Sequence, residues 1–127
     1  MIDSIARPGS WWVAAATALA WLGFFIHNIA DLPGQSLLSP ETGLPTLVYL
    51  VLCLAWWRFP RRRLTLWLLF GWGVLNLIGG GLSVIPFSFL PFYPEQSWRH
   101  YFFHGVYGAA QLPLIAVTGA WLGLRAH

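Results

Sequence analysis

The sequence is short of charged residues, and this shortage excludes a water-soluble monomer. Charged side chains make up 9% of the 127 residues and hydrophobic ones 57%, whereas a typical soluble domain has about 25% charged residues. So few solvated side chains cannot cover a globule of this size. The aromatic content of 17% is typical of chains that place rings at membrane–water interfaces. The composition therefore predicts an integral membrane protein that forms a single domain over residues 1–127.

Lysine is absent and cysteine occurs once, which narrows the chemistry. All seven basic residues are arginine, so a Schiff-base lysine for retinal or pyridoxal phosphate is excluded. Because Cys53 is the single cysteine, an internal disulfide, a paired-thiolate metal site and a cysteine-held iron–sulfur cluster are excluded too. A pI near 9.6 would suit nucleic acid, but the arginines flank apolar runs, where membrane orientation explains them better. We expect no nucleic-acid partner.

Four long apolar runs predict an all-α membrane protein, a four-transmembrane-helix bundle with spans at approximately 10–31, 40–59, 64–86 and 98–124. A helix rising about 1.5 Å per residue needs about 20 residues to cross a bilayer core about 30 Å thick. The second run is long enough only if its helix begins at Pro40, behind Ser39 as the N-cap. The runs are apolar on every side, unlike the alternating strands of a barrel. The first continues well past the cleavage-like Ala18-Leu19-Ala20, which favours a retained span over a signal peptide.

The positions of the arginines predict how the bundle is oriented. Arg7, the group at 58 and 61–63, and Arg125 would share one side of the membrane, and Arg99 alone would lie on the other. The positive-inside rule then places both termini and the arginine-rich loop in the cytoplasm. We expect a multi-pass protein of the lipid bilayer, in the inner (plasma) membrane of a bacterium.

Ionisable side chains gather towards the predicted outer end of the bundle. His27 and Asp31 are four residues apart on the first helix, and His100 and His104 have the same spacing on the fourth. Residues four apart lie on one face of a helix, one turn from each other. Ionisable groups inside a membrane are costly and usually functional. The inner half of the predicted bundle has no comparable group.

Two kinds of ligand suit these four residues. Three imidazoles and a carboxylate predict a divalent metal site formed by His27, Asp31, His100 and His104, with zinc, iron, copper or nickel as the metal. HxxxH and HxxxD are common by chance, so the spacing alone specifies little.

The other kind of ligand is a macrocycle between the first and fourth helices. His27 and His104 would hold a haem, or one of them would hold a chlorophyll-type pigment. Gly23 and Gly108 lie one turn from these histidines and would leave space for a flat ring. Two amides, Asn76 and Gln111, are predicted to line the same cofactor site. The alternative without any cofactor is a polar contact that joins the helices.

These patterns support three functional hypotheses. The first is a small membrane subunit that holds a haem, pigment or metal at the extracytoplasmic side, within a larger electron-transfer or light-harvesting complex or a homo-oligomer. The second is a membrane metalloenzyme acting on a lipid-like substrate, for which Glu41 and Glu95 are the only further acids or bases near the site. The third is an accessory subunit that binds lipid and partners and has no cofactor.

Overall fold

The computed structural model describes residues 9–31, 34–59, 62–86, 88–89 and 96–123, and in these ranges the chain is helical without strands. The four α-helices are α1 (Ser10–Asp31), α2 (Pro40–Arg58), α3 (Arg62–Asn76) and α4 (Trp98–Leu122). After α3 the chain continues through a π-helical turn, Leu77–Gly81, and a 3₁₀ turn, Leu82–Val84. The predicted all-α fold is confirmed, and each predicted helix has its counterpart in the structure.

Local sequence explains where α2 and α4 begin and where α4 ends. Pro40 is in the first turn of α2, where its missing N–H costs nothing. Ser39 precedes Pro40 in an extended conformation. Contrary to the prediction, the Ser39 side chain makes no capping hydrogen bond to the helix. In α4, by contrast, the Ser97 hydroxyl accepts a hydrogen bond from the His100 backbone N–H at 3.2 Å. The same helix ends at Leu122 and is followed by Gly123, whose left-handed φ of 80° suits a glycine.

Three of the four predicted spans have the length and apolar character of membrane helices. They are Ser10–Ala30, Arg62–Gly81 and Trp98–Leu122, of 21, 20 and 25 residues. In the described part of the chain α2 does not reach the same standard. It carries Glu41 and Arg58 at its ends and Pro45 inside it, and these residues lower its hydropathy. The apolar helices are compatible with a lipid bilayer, and the four-span arrangement stays a prediction.

The distribution of polar and apolar side chains fits a bilayer environment. Apolar side chains of α2 such as Leu44, Leu47 and Leu54 are each more than half exposed. Polar side chains are instead buried between the helices: Thr17, His27, Asn28, Thr42, Thr65, Asn76, His104, Gln111 and Thr118. A soluble helix shows the opposite pattern, with its polar face towards solvent.

Glycines bring the helices close together, and this corrects one expectation. A Cβ added to Gly23 of α1 would lie 2.3 Å from Cβ of Ala110 in α4. Gly81 and Gly108 face each other, and a Cβ on Gly81 would lie 2.6 Å from Cα of Gly108. The space predicted for a flat ring beside Gly23 and Gly108 is therefore filled by the neighbouring helix. These glycines permit the close packing that is typical of transmembrane helices.

One end of the bundle is rich in arginine and tryptophan. The Trp56 indole N–H donates to the carbonyl oxygen of Ser10 at 2.8 Å, and the Arg62 guanidinium lies 4.6 Å from the centroid of a Trp56 ring. His27 and His104 lie at the other end of their helices. Arg7, Arg61 and Arg125 are outside the described residues, so the predicted orientation rests on the sequence.

Arg99 is the arginine that departs from the predicted charge asymmetry, and the structure gives it a local role. Its guanidinium donates to the carbonyl oxygen of Ala30, at the C-terminal end of α1. Cations are stabilised there because the last carbonyls of a helix carry partial negative charge. The guanidinium also lies 5.1 Å from the ring centroid of Phe103. Contacts with α1 and with its own helix thus account for this arginine.

Candidate functional site

Two histidines from different helices meet inside the bundle. His27 of α1 and His104 of α4 are each 7% exposed. Their Nε2 atoms are 3.2 Å apart, and their rings meet nearly edge to face with centroids 4.5 Å apart. The prediction that α1 and α4 bring these residues to one place agrees with this geometry. The pair is the centre of the candidate site.

The other nitrogen of each ring faces an oxygen that only accepts hydrogen bonds. His104 Nδ1 is bonded to the backbone carbonyl of Gly80. His27 Nδ1 is 2.9 Å from Oδ1 of Asn28. A carbonyl oxygen offers lone pairs and no proton, so both Nδ1 atoms must carry the proton and donate it.

This assignment has a consequence for the facing Nε2 atoms. A neutral imidazole has one N–H, and in both rings Nδ1 holds it. Two neutral rings would then point their Nε2 lone pairs at each other across 3.2 Å, which is repulsive. A proton or a metal ion between the two nitrogens removes the conflict.

A π-helical turn provides the carbonyl that fixes His104. Gly80 lies in this turn, and a Cβ there would be 2.2 Å from Cζ of Tyr107, so a larger residue does not fit. The Gly80 carbonyl also accepts from the Ser83 hydroxyl at 3.0 Å. The π turn was not predicted from the sequence, in which its one signal is the glycine run Gly79–Gly81. Such π turns are often found at functional sites.

His100 and Asp31 are the other two predicted metal ligands. The His100 ring is adjacent to that of His104, with centroids 4.3 Å apart. Asp31 ends α1, but its side chain is not among those that the structure describes. Within the described parts of the chain, no group of three or more His, Cys, Asp or Glu side chains is arranged to hold a metal ion. The four-ligand set stays a prediction.

The two predicted amide residues have partners other than the histidines. Asn76 accepts from the Tyr107 hydroxyl and donates to the carbonyl of Trp72 at 2.8 Å. Gln111 is fully buried, accepts from the Tyr49 hydroxyl at 3.1 Å and donates to a carbonyl of α1 at 2.9 Å. These bonds join the helices, so neither amide needs a cofactor to satisfy it. As cofactor contacts they stay predictions.

Sequence reasoning missed Thr42, which is fully buried in the first turn of α2. Its hydroxyl accepts from Nδ2 of Asn28 at 3.0 Å and so contacts the direct partner of His27. No residue spacing could reveal this link, because Thr42 and Asn28 lie on different helices. The only signal was a polar residue near the predicted outer end of α2.

The chain matches no protein-family model, no curated protein and no solved structure.

Proposed function

We propose that this is a membrane protein that holds one metal ion between His27 and His104, at the end of the bundle opposite the arginine-rich loop. The observation that supports this proposal is the contact of two Nε2 atoms whose Nδ1 protons are both donated to carbonyl oxygens. Neutral imidazole bound through one nitrogen is the common metal-ligating form of histidine. The second nitrogen of a ligating histidine usually donates to a carbonyl, a carboxylate or water.

The distance between the two nitrogens suits a tetrahedral ion such as Zn²⁺. Two nitrogen ligands at about 2.0–2.1 Å from zinc, at the tetrahedral angle, are about 3.3–3.4 Å apart. The observed separation is 3.2 Å, so a small movement of the rings admits the ion. We propose His100, beside His104, and Asp31, one turn beyond His27 in the sequence, as the groups that complete the coordination.

A haem or pigment is less well supported than a bare ion. Axial imidazoles on opposite faces of one haem are separated by the macrocycle and cannot be in direct contact. The glycines that would leave space for the ring, Gly23 and Gly108, are in contact with neighbouring helices instead. Within this proposal the protein crosses a bacterial plasma membrane four times with both termini in the cytoplasm. The site then faces outward, in a larger complex or a homo-oligomer.

Zinc binding to the purified full-length chain in lipid nanodiscs tests the proposal. We expect one Zn²⁺ per chain by metal analysis after dialysis. His27→Ala and His104→Ala should each lower the Zn²⁺ affinity by more than about 100-fold, beyond the loss typical of outer partners. His127→Ala is the matched control, because it removes a histidine beyond the end of α4 and should leave the affinity unchanged.

Two outcomes would contradict a metal site. If the wild-type chain binds no Zn²⁺ above the level of the double variant His27→Ala/His104→Ala, the two imidazoles share a proton and only join the helices. If His127→Ala lowers the affinity as much as His27→Ala does, the binding is nonspecific.

A further inference from the structure

Four side chains form a hydrogen-bond chain that leads away from His27. Its Nδ1 faces Oδ1 of Asn28 at 2.9 Å, and Nδ2 of Asn28 donates to Oγ1 of Thr42 at 3.0 Å. The Thr42 hydroxyl donates to Oε1 of Gln35 at 2.6 Å. This series of hydrogen bonds therefore crosses from α1 to α2 and reaches the loop between the two helices.

The direction of each hydrogen bond in this chain is fixed by its acceptors. Nδ2 of Asn28 also contacts the backbone carbonyl of Glu41 at 3.1 Å, and a carbonyl only accepts, so this atom is the amide nitrogen. The atom facing His27 is then the amide oxygen. The Thr42 hydroxyl has one proton, which it donates in a hydrogen bond to Oε1 of Gln35. In each of these hydrogen bonds the donated proton thus points away from His27.

This direction selects one tautomer of His27. With the Asn28 oxygen held against it, Nδ1 must be protonated, and in a neutral ring this leaves Nε2 as an acceptor towards His104. The opposite tautomer would place two acceptors, Nδ1 and Oδ1, 2.9 Å apart. Asn28 is 4% exposed and Thr42 is fully buried, so water does not readily replace these bonds. In low-dielectric surroundings such a chain is strong when each member is satisfied.

We infer that Asn28 and Thr42 are positioning residues that hold His27 in the tautomer that presents Nε2 to the cation. Through Thr42, α2 controls the site although it contributes none of the proposed ligands. Glu41 lies outside this role, since its side chain is exposed and its contact with Gln35 is long at 3.4 Å. The metal-affinity part of this inference rests on the proposed function, whereas the tautomer part does not.

The tautomer is tested on metal-free protein, with ¹⁵N-histidine in lipid nanodiscs and nitrogen shifts measured by NMR. We expect the wild-type chain to show His27 protonated at Nδ1. Asn28→Leu removes the acceptor and should give a mixture of tautomers. Thr42→Val keeps the shape but removes one of the two acceptors that hold Nδ2 of Asn28, and it should shift the populations in the same direction to a smaller extent. Thr42→Ser restores a hydroxyl and should restore the wild-type pattern.

Zn²⁺ affinity provides the second measurement. Loss of an outer partner of a metal ligand costs about 10–100-fold in affinity, so we expect a loss of about 100-fold for Asn28→Leu and about tenfold for Thr42→Val. Thr42→Ser should stay within about threefold of the wild-type affinity, because a hydroxyl donates and accepts as before. Glu41→Gln keeps the backbone carbonyl that orients Asn28 and should match the wild-type chain.

The two measurements separate failure of this inference from failure of the proposed function. If the wild-type chain binds no Zn²⁺ but Thr42→Val still changes the His27 tautomer, the metal site is wrong and the positioning role stands. If Zn²⁺ binds and both Asn28→Leu and Thr42→Val keep the wild-type tautomer and affinity, the positioning role is overturned. Equal effects of Thr42→Val and Thr42→Ser would also overturn it, because the hydroxyl would then have no part.

Discussion

At the scale of single residues, the buried polar side chains fall into groups with different partners. The Nδ1 atoms of His27 and His104 have carbonyl oxygens as partners, and their Nε2 atoms face each other. Gln111, by contrast, has its amide oxygen and nitrogen bonded to three other helical residues. It accepts from Tyr49 and donates to the carbonyls of Ala20 and Tyr107. In the sequence both groups are polar residues within apolar runs, and polarity alone could not separate the proposed cation site from a hydrogen bond between helices.

Replacing Gln111 tests its role in joining the helices. In Gln111→Leu the Tyr49 hydroxyl, in a residue that is 2% exposed, loses its acceptor. An unsatisfied buried polar group costs about 1–3 kcal/mol, so we expect a loss of that size in the free energy of unfolding, measured by tryptophan fluorescence in detergent–lipid mixtures. The double variant Gln111→Leu/Tyr49→Phe removes the stranded hydroxyl and should recover part of the loss. A double variant no more stable than Gln111→Leu would show that the Tyr49 hydroxyl was not the source.

At the scale of the helices, α3 differs most from its predicted form. The apolar run predicted one continuous helical span over 64–86. The structure keeps the segment helical but widens it into a π turn at Leu77–Gly81. Glycine composition showed that the backbone was unusual there. It could not reveal the π turn or its packing against Tyr107 and Gly108 of α4, because composition does not show which helices are neighbours.

Two adjacent glycines of the π turn should respond differently to the same substitution. In Gly80→Leu the new side chain would begin 2.2 Å from Cζ of Tyr107, whereas nothing lies within 4 Å of an added Cβ at Gly79. Overpacking typically costs about 1–3 kcal/mol, so we expect Gly80→Leu to lower the thermal stability in detergent and Gly79→Leu to leave it nearly unchanged. Leu82→Ala, at a side chain that is 44% exposed, should also have little effect. Equal stability of the two leucine variants would mean that α4 does not pack on Gly80.

At the scale of the whole molecule, the sequence predicted the helices and the polar end of the bundle better than it predicted the side-chain contacts between helices. Helix lengths follow from the lengths of the apolar runs, and the placement of His27 and His104 at one end follows from the alternating direction of successive spans. The contact from Thr42 to Asn28 and the shared site of His27 and His104 depend on which helices are neighbours. Only the second could be proposed, because the antiparallel order of spans brings the ends of the first and fourth helices to the same side.

Orientation in the membrane is the property of the whole molecule on which the position of the site depends. We expect single cysteines introduced as Ser36→Cys and Ser88→Cys, in a Cys53→Ser background, to react with an impermeant thiol reagent in intact cells that express the protein. Phe59→Cys should react only after the cells are permeabilised. It lies at the end of α2 beside the arginine-rich loop, is 59% exposed and keeps every arginine that determines the orientation. The reason for the difference is that arginines in short loops are retained in the cytoplasm. Reaction at position 59 from outside, with none at 36 or 88, would reverse the bundle and place the His27–His104 site on the cytoplasmic side, where the cell's own metal pool would supply it.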